Sequence, residues 1–192
     1  EAANSKLRRS CQTAMWVIAK TLTQMLSPIL SFTAEEVWQH LRGIDHTLPE
    51  SVFLTDWPDL DSKLYHEALE AKWEKILWLR GAVSRALEVA RSQDLIGQSL
   101  EACVNIKVDS QTQDLKDLLS SYWWKEVFIV SDVKWTEELP EAPVVYADDD
   151  TGVKIAITLA EGEKCPRCWM YAPEVAHKGL CSRCASVLAM QS

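Results

Sequence analysis

Two Cys-x-x-Cys pairs close together near one end of the chain constrain its fold more than any other feature. Cys165-Pro-Arg-Cys168, with Trp169 directly after it, is separated by twelve residues from Cys181-Ser-Arg-Cys184. Four thiolates in this spacing match a closed tetrahedral site, in which each pair grips one side of a soft metal; Zn2+ suits such a site, and its role is structural. A lone Cys-Pro-Arg-Cys would also fit a thioredoxin-like motif, but that needs a strand before it and a long helix after it. Here Trp169, Tyr171, Pro173 and Gly179 follow, which read as turns. Disulfides within each pair would close very short loops and staple little. The expected ligands are therefore Cys165, Cys168, Cys181 and Cys184, holding one Zn2+ per chain. His177 lies between the pairs and reads as a solvent- or RNA-facing side chain, not a ligand.

The remainder divides by periodicity. Residues 4–26 form one helical pattern, with Leu7, Cys11, Ala14, Met15, Ile18, Leu22, Met25 and Leu26 on a single face expected to be buried. Pro28 ends it. Thr33-Ala-Glu-Glu36 reads as a capping box opening a second helix, which Gly43 stops. Ser51–Thr55 reads as a short extended piece inside a polar loop. A long helical pattern over 62–91 is expected to pack against 4–26 as an antiparallel bundle. After Gly97 the period changes to two. Strands are expected over 102–108, 126–130, 133–136, 144–147 and 153–159, with a short helix over 115–122. Asp148-Asp-Asp-Thr-Gly152 reads as a solvated turn of a hairpin. The domains expected are 1–96 (helical), 97–160 (small α+β) and 161–192 (zinc knuckle), so the chain as a whole is mainly α.

Catalytic sets are absent from the sequence: there is no Gly-rich phosphate loop, nucleophile elbow or His-Glu-x-x-His. Binding chemistry remains. The net charge of -8 argues against a protein that coats nucleic acid indiscriminately. Positive charge is nevertheless local, with Lys6, Arg8, Arg9 and Lys20 near the start and Arg167, Lys178 and Arg183 in the knuckle. Arg167 and Arg183 each stand just before the second cysteine of a pair, and Trp169 follows Cys168. Two Arg and a Trp on a rigid frame offer phosphate contacts and a stacking face for single-stranded nucleic acid. Packing of Trp169 on the domain below, with solvated Arg, accounts for the same residues equally well.

No apolar run reaches the length of a membrane span, and Glu1 opens the chain inside a helical pattern, so the chain is expected to be the tail of a longer protein. Cys11 and Cys103, far from the quartet, read as buried thiols of a reducing compartment.

Five stretches together resemble a known family. They are Leu7-Arg-Arg-Ser10, Met25-Leu-Ser-Pro-Ile-Leu-Ser-Phe-Thr-Ala-Glu-Glu-Val-Trp38, Ser51-Val-Phe53 with Trp57, Ile96-Gly-Gln-Ser-Leu-Glu-Ala102, and Ala160-Glu-Gly-Glu-Lys-Cys-Pro-Arg-Cys-Trp169. In this order the chain resembles the C-terminal part of bacterial-type isoleucyl-tRNA synthetases, class I aminoacyl-tRNA ligases. The second stretch is shared with related synthetases for valine, leucine and methionine; the last two favour isoleucine. The resemblance implies that the helical bundle is an anticodon-binding domain and that the knuckle helps hold the anticodon stem-loop of isoleucine tRNA. Arg8, Arg9, Arg167, Trp169 and Arg183 would be the RNA contacts. It implies an ATP-dependent ligase whose catalytic and editing domains, with ATP, lie outside this chain, so that this piece alone is inactive. The expected setting is a monomer in the bacterial cytoplasm, or a chloroplast or mitochondrion, with no DNA or membrane partner. Two other readings stand beside it: a free-standing interaction or regulatory module derived from a synthetase, and a DNA-binding zinc finger protein.

Overall fold

A computed structural model of the chain describes residues 2–59, 64–110 and 112–190. These residues form two compact units, one running to Tyr65 and the other spanning His66–Ala189.

In the first unit, helix α1 (Lys6–Leu26) starts at Ser5, whose hydroxyl accepts the Arg8 N–H, and stops before Pro28. Helix α2 (Ser31–Ile44) packs beside it. Trp38, Ala34 and Leu41 of α2 are buried together with Leu48 and Val52, and Trp16 and Ala19 of α1 close the cluster. The Trp38 indole N–H is satisfied by the Pro49 carbonyl at 3.0 Å.

Three expectations are corrected here. The stripe through Leu7, Met15, Ile18 and Leu22 is exposed, and Cys11 is exposed with it. The buried edge of α1 runs through Trp16, Ala19 and Thr23, one residue on and so about 100° around the helix. Helix α1 carries two apolar stripes, and only packing decides which is covered. Second, α2 begins before Thr33, and Glu35 is not part of a cap. Its carboxylate accepts the Ser51 hydroxyl at 2.7 Å and the Val52 N–H at 3.1 Å. The Ser51 bond, helped by Gln39, holds this carboxyl below the usual range. Third, the residues pinned by Glu35 form a 3₁₀ turn, Val52–Leu54, not an extended piece.

The second unit begins with helix α3 (Glu67–Ser92), capped by His66, whose Nδ1 accepts the Leu69 N–H at 3.2 Å. The expected start at Ser62 lies outside the described residues. A 3₁₀ turn (Ser99–Glu101) leads into β1 (Ala102–Lys107). Helices α4 (Gln113–Lys116) and α5 (Ser121–Phe128) precede β2 (Asp132–Thr136), β3 (Val144–Ala147) and β4 (Lys154–Leu159). The sheet order is β2-β1-β4-β3, with β1 and β2 parallel and the other pairs antiparallel. The α3 side chains Ile76, Leu79, Val83, Leu87 and Ala90 share one core with Val104, Ile106, Ile155 and Ile157 of the sheet. The apolar face of α3 that bundle packing was expected to use is therefore covered by strands, and the mainly helical description holds only in part.

Residues 126–130 are not a strand. Helix α5 runs through Phe128, with Trp124 and Phe128 buried and their rings stacked at 5.2 Å between centroids. Tertiary burial of Trp124 and Phe128 overrides the β preference of Val127-Phe128-Ile129-Val130. The turn at 148–152 is not simply solvated either. Asp148 is buried and takes Arg85 of α3 in a two-point ion pair, Nε at 2.5 Å and Nη2 at 2.8 Å. Cys103 is buried, as expected, and burial pushes its thiol up.

The knuckle completes this unit. Strands β5 (Glu163–Lys164) and β6 (Tyr171–Ala172) pair antiparallel, and two short helices follow, α6 (Val175–Lys178) and α7 (Ser182–Ala189). Gly162 has φ +92, and a Cβ there would lie 2.2 Å from the Ala172 carbonyl carbon. Only glycine lets the two chain segments approach so closely.

Candidate metal centre and nucleic-acid interface

The sulfurs of Cys165, Cys168, Cys181 and Cys184 all lie within 4.8 Å of one another, the only such cluster among the described residues. Local backbone geometry assembles them. The Cys165 N–H donates to the Met170 carbonyl and the Trp169 N–H donates back to Cys165, both at 2.9 Å, which folds 165–170 into a tight loop. Cys181 supplies the carbonyl that receives the Ala185 N–H at 3.0 Å, and so caps α7, which carries Cys184 in its first turn. Cys168 and Cys181 sulfurs stand 3.6 Å apart. Tetrahedral Zn2+ with bonds of about 2.3 Å sets its sulfurs about 3.8 Å apart, so the quartet fits that ion. Cys165, Cys181 and Cys184 are buried and Cys168 is half-buried.

The thiols are not equivalent. Burial pushes Cys165 up, but backbone hydrogen bonds from Cys181, Cys168 and Arg167 bring it down to about 6. Cys181, where burial prevails and the neighbouring sulfurs add to it, is pushed up to about 12. His177 sits on α6, exposed and outside the sulfur cluster.

Around the sulfurs, the side chains expected to meet RNA have distinct surroundings. Trp169 is 59% exposed and occupies the left-handed region at φ 68, so the loop turns its indole outward and does not pack it beneath. The Lys164 ammonium lies 5.6 Å from the centre of that ring. Periodicity and motif reading overlooked Lys164; the pairing of Lys164 with Tyr171 across β5 and β6 brings it near. Arg167 donates to the Cys184 sulfur at 3.4 Å, and Arg183 pairs with Glu126 of α5 at 2.7 Å. The two Arg therefore differ in partner despite their matching places in the motif. Arg8 and Arg9 belong to the first compact unit, where both are exposed and Arg9 bonds Gln12 and Asn4.

Residues 1–107, more than half of the chain, match the family model described as the anticodon-binding domain of tRNA ligase. The chain belongs to this anticodon-binding domain family. Within the same anticodon-binding-domain chain, residues 162–187 match a zinc finger found in FPG and IleRS, which covers the whole sulfur quartet. Its relatives include isoleucine–tRNA ligases of Thermoanaerobacter sp. (strain X514), 41% identical over 99% of this chain, and of Natranaerobius thermophilus, 43% identical over 96%. The enzyme of the same name from Listeria welshimeri is 41% identical over 98% of the chain. The anticodon-binding-domain chain spans about a fifth of the length of these relatives. No described helix is long and apolar enough to cross a membrane.

Proposed function

We propose that this chain is the tRNA-binding C-terminal part of an isoleucine–tRNA ligase and holds the anticodon stem-loop of isoleucine tRNA. In this reading ATP-dependent activation of isoleucine belongs to the part of the ligase outside this chain. The ligase acts as a cytoplasmic monomer. The observation that carries the reading is Trp169: an exposed indole at positive φ, on a loop pinned by four converging sulfurs. A stacking face held rigid in this way loses little conformational freedom when a base arrives.

Cys165, Cys168, Cys181 and Cys184 would hold one Zn2+. The ion would supply a cross-link between two short loops that bury too little apolar surface to order themselves. The residues of the chain do the binding. Trp169 stacks on an unpaired base, and Lys164, whose ammonium lies over that ring, adds a cation for the phosphate backbone. Arg8, Arg9, Arg167 and Arg183 take phosphates. Arg183 does so by exchanging Glu126, a partly exposed ion pair of small net value, for the RNA.

Fluorescence-anisotropy titration of an isoleucine tRNA at two salt concentrations tests the reading. A stacked base is worth ~1–3 kcal/mol, so Trp169→Ala is expected to weaken binding roughly five- to a hundredfold. Arg8→Ala and Arg9→Ala are expected to flatten the salt dependence, each by about one released counterion. Parent-like binding by a folded, zinc-loaded Trp169→Ala chain would remove the stacking role.

A further inference from the structure

The four sulfurs of the metal centre differ in what can reach them. Cys165 and Cys184 have no exposed surface, and Cys181 is buried at 7%. Cys168 is half-buried and lines a cavity of about 210 Å³, together with Met170, Leu100 and Ile129. A water molecule takes up about 30 Å³, so this cavity admits an oxidant as small as hydrogen peroxide. The loop turns outward directly after Cys168, where Trp169 is exposed. Among the four ligand candidates, Cys168 is therefore the sulfur that a small reagent in solvent meets first. Accessible thiolates are the ones that oxidise.

A second sulfur stands ready behind it. Cys181 Sγ lies 3.6 Å from Cys168 Sγ. Cys184 is less suited to react, because its sulfur accepts a bond from the Arg167 guanidinium at 3.4 Å, which draws on its electron density. Cys168 and Cys181 belong to different Cys-x-x-Cys pairs, so a bond between them removes one ligand from each side of the site. We propose that Cys168 is the oxidation site of this chain, and that peroxide joins Cys168 to Cys181 in a disulfide that opens the metal centre. The Cys168 thiolate attacks one peroxide oxygen. An S–O bond forms, the O–O bond breaks, and the other oxygen leaves as hydroxide and is protonated to water. The Cys181 thiolate then attacks the sulfenic sulfur; an S–S bond forms, the S–O bond breaks, and a second hydroxide leaves and is protonated. Two electrons pass from the two sulfurs to the peroxide, which takes two protons from solvent and ends as two waters. Cys165 and Cys184 alone are too few to close a tetrahedral site, so the ion is released. Trp169 follows Cys168 directly, and the frame that holds its indole opens with the site. Thiols reduce the disulfide, which makes the change reversible. The inference rests on the zinc reading above and adds an oxidant-sensitive release to it.

The test treats the zinc-loaded chain with hydrogen peroxide and follows zinc release with a colorimetric indicator. It is run in a Cys11→Ser background, which removes the exposed thiol outside the quartet. Trypsin cuts after Lys164, Arg167, Lys178 and Arg183, and so places each ligand cysteine in a peptide of its own. Early in the reaction, with free thiols alkylated, mass spectrometry is expected to find peptide 168–178 joined to peptide 179–183 in step with the zinc released. Dithiothreitol with added Zn2+ is expected to restore the site. Cys168→His keeps a zinc ligand without the oxidisable sulfur, and is expected to release zinc roughly tenfold or more slowly. A first disulfide within either Cys-x-x-Cys pair, or oxidation that begins at Cys165 or Cys184, overturns the inference and leaves the zinc reading intact. Parent-like release from Cys168→His does the same, and where that variant fails to load zinc the peptide map of the Cys168-containing chain decides alone. A chain that holds no zinc when purified without chelator overturns the zinc reading and the inference together.

Discussion

The hydroxyl of Ser131 ties Tyr171 of the knuckle to the sheet: it accepts the Tyr171 N–H at 2.7 Å and donates to the Leu100 carbonyl at 2.5 Å. Ser131 is buried, so water cannot replace either bond when the hydroxyl is removed. Ser131→Ala is expected to cost about 1–3 kcal/mol, the usual loss for buried groups left unpaired. Hydrogen exchange at the Tyr171 amide is expected to accelerate while amides of α1 and α2 keep their protection. Unchanged exchange at Tyr171 would show that other contacts hold the knuckle.

Arg85 and Asp148 give the second unit an acid-sensitive clasp. The Arg85 guanidinium, with bonds from Thr151 and Tyr146, holds the buried Asp148 carboxyl well below its ordinary 3.8. A depressed carboxyl stabilises the fold above its unfolded value and loses that contribution as pH falls toward the folded value. The contribution is therefore complete at neutral pH and declines below about pH 3.8. Asp148→Asn is expected to lower the melting temperature at pH 7, and the gap from the parent is expected to narrow as the pH is taken down through 3. A gap independent of pH would mean that the carboxylate charge contributes nothing.

Gly162 tests the close approach beneath the knuckle. A methyl group there would sit 2.2–2.4 Å from the backbone of Ala172 and Pro173, and φ +92 disfavours any L side chain. Gly162→Ala is expected to cost on the order of 1–3 kcal/mol. The change should appear as weaker metal retention against a chelator, since β5 leads directly into Cys165.

Metal removal is expected to act on one part of the chain. Elemental analysis should find one Zn2+ per chain. Chelation or Cys181→Ser should loosen 163–189, because short metal-linked segments draw their folding energy from the ion. The cluster around Trp38 has no sulfur ligand in it, so α1 and α2 should keep their helical signal. Absence of zinc in protein purified without chelator would remove this prediction and the four-ligand assignment with it.

The cysteine pairs were legible because a Cys-x-x-Cys turn is a local object: three residues of spacing decide which way the sulfurs point. The same holds for α1, for the strand period of Ala102–Lys107, and for the hairpin of β3 and β4. Local propensity and period are properties of neighbouring residues, so the sequence by itself determined these elements and the convergence of the four sulfurs. Tertiary structure decided what lies far apart along the chain. Period alone could not choose between the two apolar stripes of α1, and α2 covers the one through Trp16. The run 126–130 carried strand propensity, yet burial of Trp124 and Phe128 keeps it helical to Phe128 and forces Ile129 left-handed. Asp148 reads as one of three turn acids until Arg85, 63 residues away, reaches it. Arg167 and Arg183 occupy matching places in the motif, but one meets a sulfur and the other Glu126, 57 residues away. A side chain's partner is set by the packing of separate elements, and that information is absent from any short window of sequence.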